Sequence, residues 1–250
     1  MEITKGKVVM VNAKEHYENL LSDIYTWLMG GFSEAKRTNL DFFNSRNIVP
    51  KSSGTALDLG AGSGFQSIPL SELGFTVTAI DLSQKLLHEL KANAGDIPIV
   101  SINDDILNLK KYVKNNFELI ICMTDTLTHL KSKEDVTKIF QDSYTSLEIN
   151  GKLILTFRDL TGELVDTDRF IPVRSDDNII FTCFLEYEPE TVKIHDIVYT
   201  KTNDGWKLNK SCYRKIRLSA DWVEEQLLAV GFKLAESTDS NGFKTIVAVK

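Results

Sequence analysis

The sequence predicts an α/β fold, a largely parallel sheet with helices on both faces, closed by an antiparallel last strand. Three observations predict it. Short apolar runs alternate with segments of helical period between about residues 55 and 160. A glycine-rich turn, Gly60-Ala61-Gly62-Ser63-Gly64, joins the first of those runs to the helical segment after it. Between about 178 and 218 the pattern changes to period two with turn residues between the runs, which reads as an inserted antiparallel β-meander.

The elements follow in order. Asn12 with Glu15 three residues on forms a capping box, and Tyr17, Leu20, Leu21, Ile24 and Leu28 then recur at helical spacing until Gly30-Gly31. Ser33 opens a second helix carrying Ala35, Leu40 and Phe43, and residues 49–54 form a loop. Residues 1–50 are thus expected as an N-terminal helical cap, and 51–250 as the main domain. Strands are expected at 55–59, 76–80, 97–102, 118–123 and 152–157, apolar on both faces as a helix-covered sheet requires. A helix over 65–73 follows the first strand. Ser83 caps the next helix, with Leu86, Leu87 and Leu90 inward, and Ser132 with Asp135 caps another. Three meander strands, 181–187, 192–200 and 206–218, are joined by Glu188-Pro189-Glu190 and Asn203-Asp204-Gly205. Ser219 caps a last helix ending at Gly231, and strands at 232–237 and 245–249 flank an Asn241-Gly242 turn as a closing hairpin.

Composition narrows the function classes. With 29 Lys and Arg against 35 Asp and Glu, the 250-residue chain has net charge −6, which disfavours nucleic acid as a partner. No apolar run approaches the roughly 20 residues that span a bilayer, and the first residues lack a signal-peptide core, so neither membrane nor export is expected. Cys122, Cys183 and Cys212 suit neither a disulfide framework nor a metal site. Buried thiols in a reducing cytoplasm are the expectation, with no metal.

The chemistry sits at the ends of the first three strands. Alternate glycines let the backbone turn tightly and approach a ligand, and free amides with the start of the following helix can receive an anionic group. Asp81 ends the second strand of this Rossmann-like unit, where an acid accepts both hydroxyls of a ribose. Asn103-Asp104-Asp105-Ile106 ends the third, where an acid and the next amide can read an adenine edge. A solvated loop is the alternative for any one of these acids. All three features at carboxyl ends of consecutive strands point to an adenosine-containing ligand.

In LDLGAGSG (57–64), AIDLS (79–83), NDDILNL (103–109) and FELIICMTDTLTHL (117–130) the sequence resembles the class I S-adenosylmethionine-dependent methyltransferases. The last of these stretches, with NGKLILTF after it, looks most like the small-molecule branch of the glycine N-methyltransferases. The resemblance implies S-adenosyl-L-methionine as cofactor and a small-molecule methyl acceptor. It implies that Gly60, Ala61, Gly62 and Gly64 pass beneath the methionine moiety and that Asp58 orients the loop and approaches the ammonium. Asp81 would hold the ribose, Leu82 would pack on adenine, and Asp105 and Ile106 would read its edge, with Asp104 the alternative to Asp105. Met123 or Thr124 would lie near the methyl donor, and Arg37 or Tyr25 would meet the carboxylate or the sulfonium. The cap and the meander would cover the substrate cleft. No Asn- or Asp-Pro-Pro-aromatic tetrad follows the fourth strand, which turns the implied acceptor away from nucleic-acid bases and protein amides.

Methyl transfer from a sulfonium is a direct displacement, catalysed mainly by alignment, with a base needed only for a protonated acceptor. The candidates after the fourth strand are His129 and Asp125, each also readable as a capping or packing group. His16 and His195 could line a cleft, whereas His88 lies on a charged helix face. An NAD-dependent oxidoreductase and a non-catalytic cofactor-binding module are the competing readings.

Overall fold

The structure, a computed structural model, describes residues 10–250. Residues 1–9 of the expected cap lie outside the described residues. Among the described residues, α1 (Ala13–His16) widens into a π-turn over Tyr17–Leu21, followed by α2 (Tyr25–Leu28) and α3 (Phe32–Ser45). The core then runs β1 (Thr55–Leu59), α4 (Ser67–Glu72), β2 (Thr76–Asp81), α5 (Gln84–Ala94), β3 (Ile99–Asn103), β4 (Phe117–Cys122), α6 (Lys133–Ser146) and β5 (Leu147–Arg158). Four strands follow, β6 (Phe170–Ser175), β7 (Ile179–Tyr187), β8 (Thr191–Thr202) and β9 (Gly205–Ile216). The chain ends in α7 (Ala220–Val230), β10 (Lys233–Ser240) and β11 (Phe243–Val249). Short 3-10 turns occupy Ile106–Tyr112, Thr126–His129 and Asp166–Arg169.

The main sheet has the order β10-β11-β5-β4-β1-β2-β3. β1 pairs in parallel with β2 and β4, and β11 alone runs antiparallel to both its neighbours, β5 and β10. Helices start where side chains satisfy orphan amides: Ser83 accepts from Leu86 N, Ser132 from Asp135 N and Ser219 from Trp222 N. Gly231, left-handed at φ 113°, ends α7. Phe140, Phe157, Leu127 and Leu227 pack α6 and α7 on one face of the sheet. On the other face, Phe43 of α3 and Leu70 of α4 pack with Val77, and α5 adds Leu87 and Leu90.

The structure corrects the expected elements in four places. The first helix does not run unbroken to Leu28. Ile24 leaves the helical region (φ −123°) while Ser22 and Asp23 bond Ser83 and Lys85, so contacts with the start of α5 override the helical period. Phe43 of α3 is fully buried against the sheet, so α3 belongs to the core layer and the cap is the segment before it. The third strand begins at Ile99 rather than 97, because Pro98 has no amide for the ladder. The meander has a fourth strand, β6, paired antiparallel with β7. Its mostly exposed residues and Pro172 erase the alternation by which it could have been read.

The insert between β5 and α7 closes on itself at the base. The Asp159 carboxylate accepts from Ala220 N at 3.3 Å, and Arg217 donates to the carbonyls of Leu160 (3.2 Å) and Thr161 (2.7 Å). Above this stem the second sheet, β6-β7-β8-β9, stands beside the carboxyl ends of the core strands. Among the described residues no helix is long and apolar enough to cross a membrane.

Candidate active site

A cavity of about 600 Å³ lies at the carboxyl ends of β1, β2 and β3. Its floor is the glycine turn. Gly60, Gly62 and Gly64 all have positive φ (82°, 51° and 86°), a backbone region other residues rarely enter. They do different work. A Cβ on Gly60 would collide with Thr126, and one on Gly62 would meet the Tyr25 ring at 3.3 Å. Both residues line the cavity. Gly64 faces away from it, where a Cβ would press Leu90 of α5 at 2.9 Å, so this glycine serves helix packing. Ala61 is buried with Ala79 and Leu87, also outside the lining.

Asp81 lines the cavity with Leu82 and Ser83. Its two oxygens accept from Gly62 N (2.9 Å) and Ser83 N (2.7 Å), which fixes the carboxylate between the glycine turn and the start of α5. Burial raises its pKa, and the two amides oppose that rise. Asp105 and Ile106 line the wall at the end of β3. Asp105 caps the 106–112 turn by accepting from Leu107 N at 2.9 Å. Asp104 does not line the cavity. Hydrogen bonds from Tyr112 (2.7 Å), Asn108 (2.8 Å) and the Asp105 amide (2.8 Å) occupy its carboxylate and hold its pKa at about 2. Asp58 is buried behind the glycine turn, accepts from Ser67 Oγ at 2.6 Å, and has its pKa pushed up to about 7 by burial.

After β4 the chain turns sharply. Thr124 has φ 63°, costly for a β-branched residue, and is held there by its amide donating to Thr156 Oγ1 (2.6 Å) and by Gln66 donating to its hydroxyl (3.2 Å). At this turn Met123, expected near the methyl donor, packs its side chain in the core with Phe43 and Ile154 and is not among the residues lining the cavity. Thr126 and His129 reach the cavity instead. Asp125 accepts from Lys215 Nζ (2.8 Å) and from Arg158 N (2.9 Å). Burial alone would raise its pKa, but the Lys215 ammonium brings it down to about 2. Both oxygens are committed and the residue does not line the cavity, so Asp125 anchors the turn to β9.

His129 is partly buried, and its desolvation together with the nearby Lys215 charge lowers its pKa to about 3, keeping the imidazole neutral. Its Nε2 lies 3.3 Å from the Tyr17 hydroxyl, and its ring stacks on Tyr213. Nδ1 has no hydrogen-bond partner among the described residues. Of the other sequence candidates, Arg37 is exposed and paired with Glu34, far from any role at the cavity. Tyr25 lies over Gly62 and stacks on Phe65. His16 is fully buried between Asp196 and Ser211, both at 2.8 Å, and pins α1 to the second sheet. His195 bonds Glu186 at 3.1 Å.

The roof is the cap. Val11 N donates to Cys212 O at 3.0 Å, placing residues 10–14 along β9. Ser83 Oγ donates to Glu18 at 2.7 Å, and Glu89 takes hydroxyls from both Thr26 of the cap and Ser63 of the glycine turn. Cap and turn are thereby tied through one α5 carboxylate. Tyr17, Lys14, Lys131, Thr191 and Arg214 also line the cavity and were not read as site residues. For Tyr17, Lys14, Thr191 and Arg214 the sequence signal was their place in the cap and the meander, expected to cover a cleft; Lys131 lies in neither.

Residues 56–151 match the methyltransferase domain family. Over 160 residues the chain is 28% identical to a glycine/sarcosine N-methyltransferase of Aphanothece halophytica, an alignment covering 60% of this chain and 58% of that protein. Among solved structures, DesVI of Streptomyces venezuelae superposes with a TM-score of 0.76 at 16% identity, covering 93% of this chain and 99% of that one. The amino pentose methyltransferase CalS10 of Micromonospora echinaspora, solved with S-adenosylmethionine bound, has a TM-score of 0.69 at 13% identity, covering 87% and 90%. These two likenesses are of fold.

Proposed function

We propose that, since this chain is a class I S-adenosylmethionine-dependent methyltransferase of the small-molecule type, it transfers a methyl group to a nitrogen or oxygen of a small acceptor held between the glycine turn, the cap and the second sheet. One observation carries the reading. A single cavity joins Gly60, Gly62, Asp81, Leu82, Asp105 and Ile106 to Tyr17 and His129. The cradle fits the cofactor: Gly60 and Gly62 present bare backbone to the cavity at positive φ, with Thr126 and Tyr25 packed where a Cβ would stand. When bound, S-adenosylmethionine supplies a methyl group already activated on a sulfonium.

The rest falls to this chain's own residues. Asp81, fixed by two amides, keeps lone pairs for two ribose hydroxyls. Asp105 and the Ile106 amide read the adenine edge, and Leu82 packs on its face. Asp58 acts from behind the turn on the ammonium. Tyr17 and the neutral His129 orient the acceptor's nucleophile, and neither the Asp125–Lys215 pair nor a cysteine takes part. The cap and second sheet exclude water, so alignment does most of the catalysis. The absence of a nucleic-acid or membrane partner and a cytoplasmic location complete the reading, supported by the net charge of −6 and by three buried, unpaired cysteines.

Parallel calorimetric titrations with S-adenosylmethionine and NAD test this, followed by measurement of S-adenosylhomocysteine release over a panel of small amines and phenols. Binding of the methyl donor alone, with turnover of at least one acceptor, is expected. Tight NAD binding with no response to S-adenosylmethionine would restore the oxidoreductase reading. Cofactor binding with a cleft closed to every acceptor would favour the non-catalytic module.

A further inference from the structure

The charges around the cavity are segregated. Its lining carboxylates, Asp81 and Asp105, sit at the ends of β2 and β3. The opposite contributors are cationic: Lys14 from α1, Lys131 just before α6, and Arg214 from β9. Three segments remote in sequence thus bring positive charge to one cavity in a chain of net charge −6. Two of the acids nearby, Glu188 and Glu190, are already committed. Glu188 holds the Arg214 guanidinium through both oxygens (2.6 and 2.9 Å) and also takes the Thr191 hydroxyl, and Glu190 pairs with Lys133 at 3.3 Å. The double contact fixes the plane of Arg214, whereas Lys14 and Lys131 are exposed and make no ion pair among the described residues. A neutral or cationic acceptor gains nothing from this arrangement. Glu188 balances the Arg214 charge, so an anion gains chiefly from Lys14 and Lys131, most of all at the partly enclosed cavity, where water screens less.

We propose that the methyl acceptor is an anion, bearing a phosphate or carboxylate group that Lys14 and Lys131 receive while its nucleophile faces the methyl donor. This rests on the methyltransferase reading above. The experiment uses the full chain saturated with S-adenosylhomocysteine and titrated by calorimetry with inorganic pyrophosphate in one arm and malonate in the other. Saturable binding of either probe is expected, the stronger arm telling phosphate from carboxylate. Lys14→Glu combined with Lys131→Glu should weaken it at least tenfold while leaving S-adenosylhomocysteine affinity unchanged. Two results overturn the proposal: no saturable binding of either anion to the wild-type complex, or a loss of S-adenosylhomocysteine affinity in the double variant, which would give these cations to the cofactor's own carboxylate. Failure of the wild-type chain to bind S-adenosylhomocysteine at all would instead strike the methyltransferase reading, and this inference with it.

Discussion

Replacing Asp81 by alanine removes an acceptor that the structure has prepared on both sides. A carboxylate offers about four lone-pair sites. Two are taken by the amides of Gly62 and Ser83, which leaves two for the hydroxyls of a ribose. Hydrogen bonds to a charged group contribute about 1.5–3 kcal/mol, so Asp81→Ala should raise the dissociation constant of S-adenosylhomocysteine about 10- to 150-fold. Asp81→Asn keeps one acceptor oxygen but turns an NH₂ toward one of the two amides, and should fall between alanine and wild type. Calorimetry at 25 °C on protein shown by circular dichroism to be folded gives the answer directly. The folding control matters, because the substitution also strips partners from two amides at the glycine turn. His88→Ala, on the exposed side of α5, is the comparison and should stay within about twofold, as surface changes of about 0.5 kcal/mol do. Wild-type affinity in Asp81→Ala would refute the ribose assignment, because no other lining carboxylate lies at the end of β2.

Further outcomes follow from the same geometry. Gly60→Ala should destabilise the chain by about 1–2 kcal/mol for its left-handed backbone and more for the collision with Thr126, whereas Gly242→Ala, also left-handed but in open space, should show only the backbone cost; equal losses in urea denaturation would contradict the packing described. Lys215→Met leaves Asp125 charged and mostly buried, a break that costs about 3–5 kcal/mol; because the Asp125 pKa is depressed to about 2, its contribution is present above about pH 4 and fades as pH falls toward 2, so the gap between variant and wild type should narrow in acid. A penalty under about 1 kcal/mol at pH 7 would mean the pair does not hold the turn. Asp58 behaves in the opposite sense: with its pKa raised to about 7, the stability it contributes is full below about pH 4 and is lost as pH rises through 7. Asp58→Asn should flatten that decline. If the Asp58 carboxylate meets the cofactor's ammonium, binding at pH 6 should release a proton, measurable as a dependence of the binding heat on buffer ionisation enthalpy, and a buffer-independent heat would remove that role.

What could be read from the sequence was what is encoded locally. Ser83, Ser132 and Ser219 cap their helices through amides three residues away, and Asn241-Gly242 turns its hairpin with both residues at positive φ. The order of glycine turn, Asp81 and Asp105 along consecutive strands needed no more than the alternation of strand and helix. Met123 stays outside the lining for a reason invisible in a linear pattern: a threonine in the left-handed region redirects the chain, so the cavity is reached at Thr126 and His129. Asp104 and Asp105 differ through Tyr112 and Asn108, which claim the first of the pair and leave the second in the cavity lining. The cationic wall was out of reach, since Lys14, Lys131 and Arg214 meet only through tertiary packing. The cap broke where Ser22 and Asp23 preferred partners on α5 to one more helical turn.

The stem at Asp159 and Ala220 has a consequence for how such a scaffold diversifies. Both ends of the inserted sheet leave the core at one point, so the segment between them can be exchanged as a cassette without rethreading the strands that carry the glycine turn, Asp81 and Asp105. A graft from another enzyme would have to preserve the docking contacts, among them the ammonium that meets Asp125, the acid that meets His16, the Cys212 carbonyl that receives Val11 N and the Tyr213 ring stacked on His129. Acceptor choice could then drift while the cofactor half stays constant.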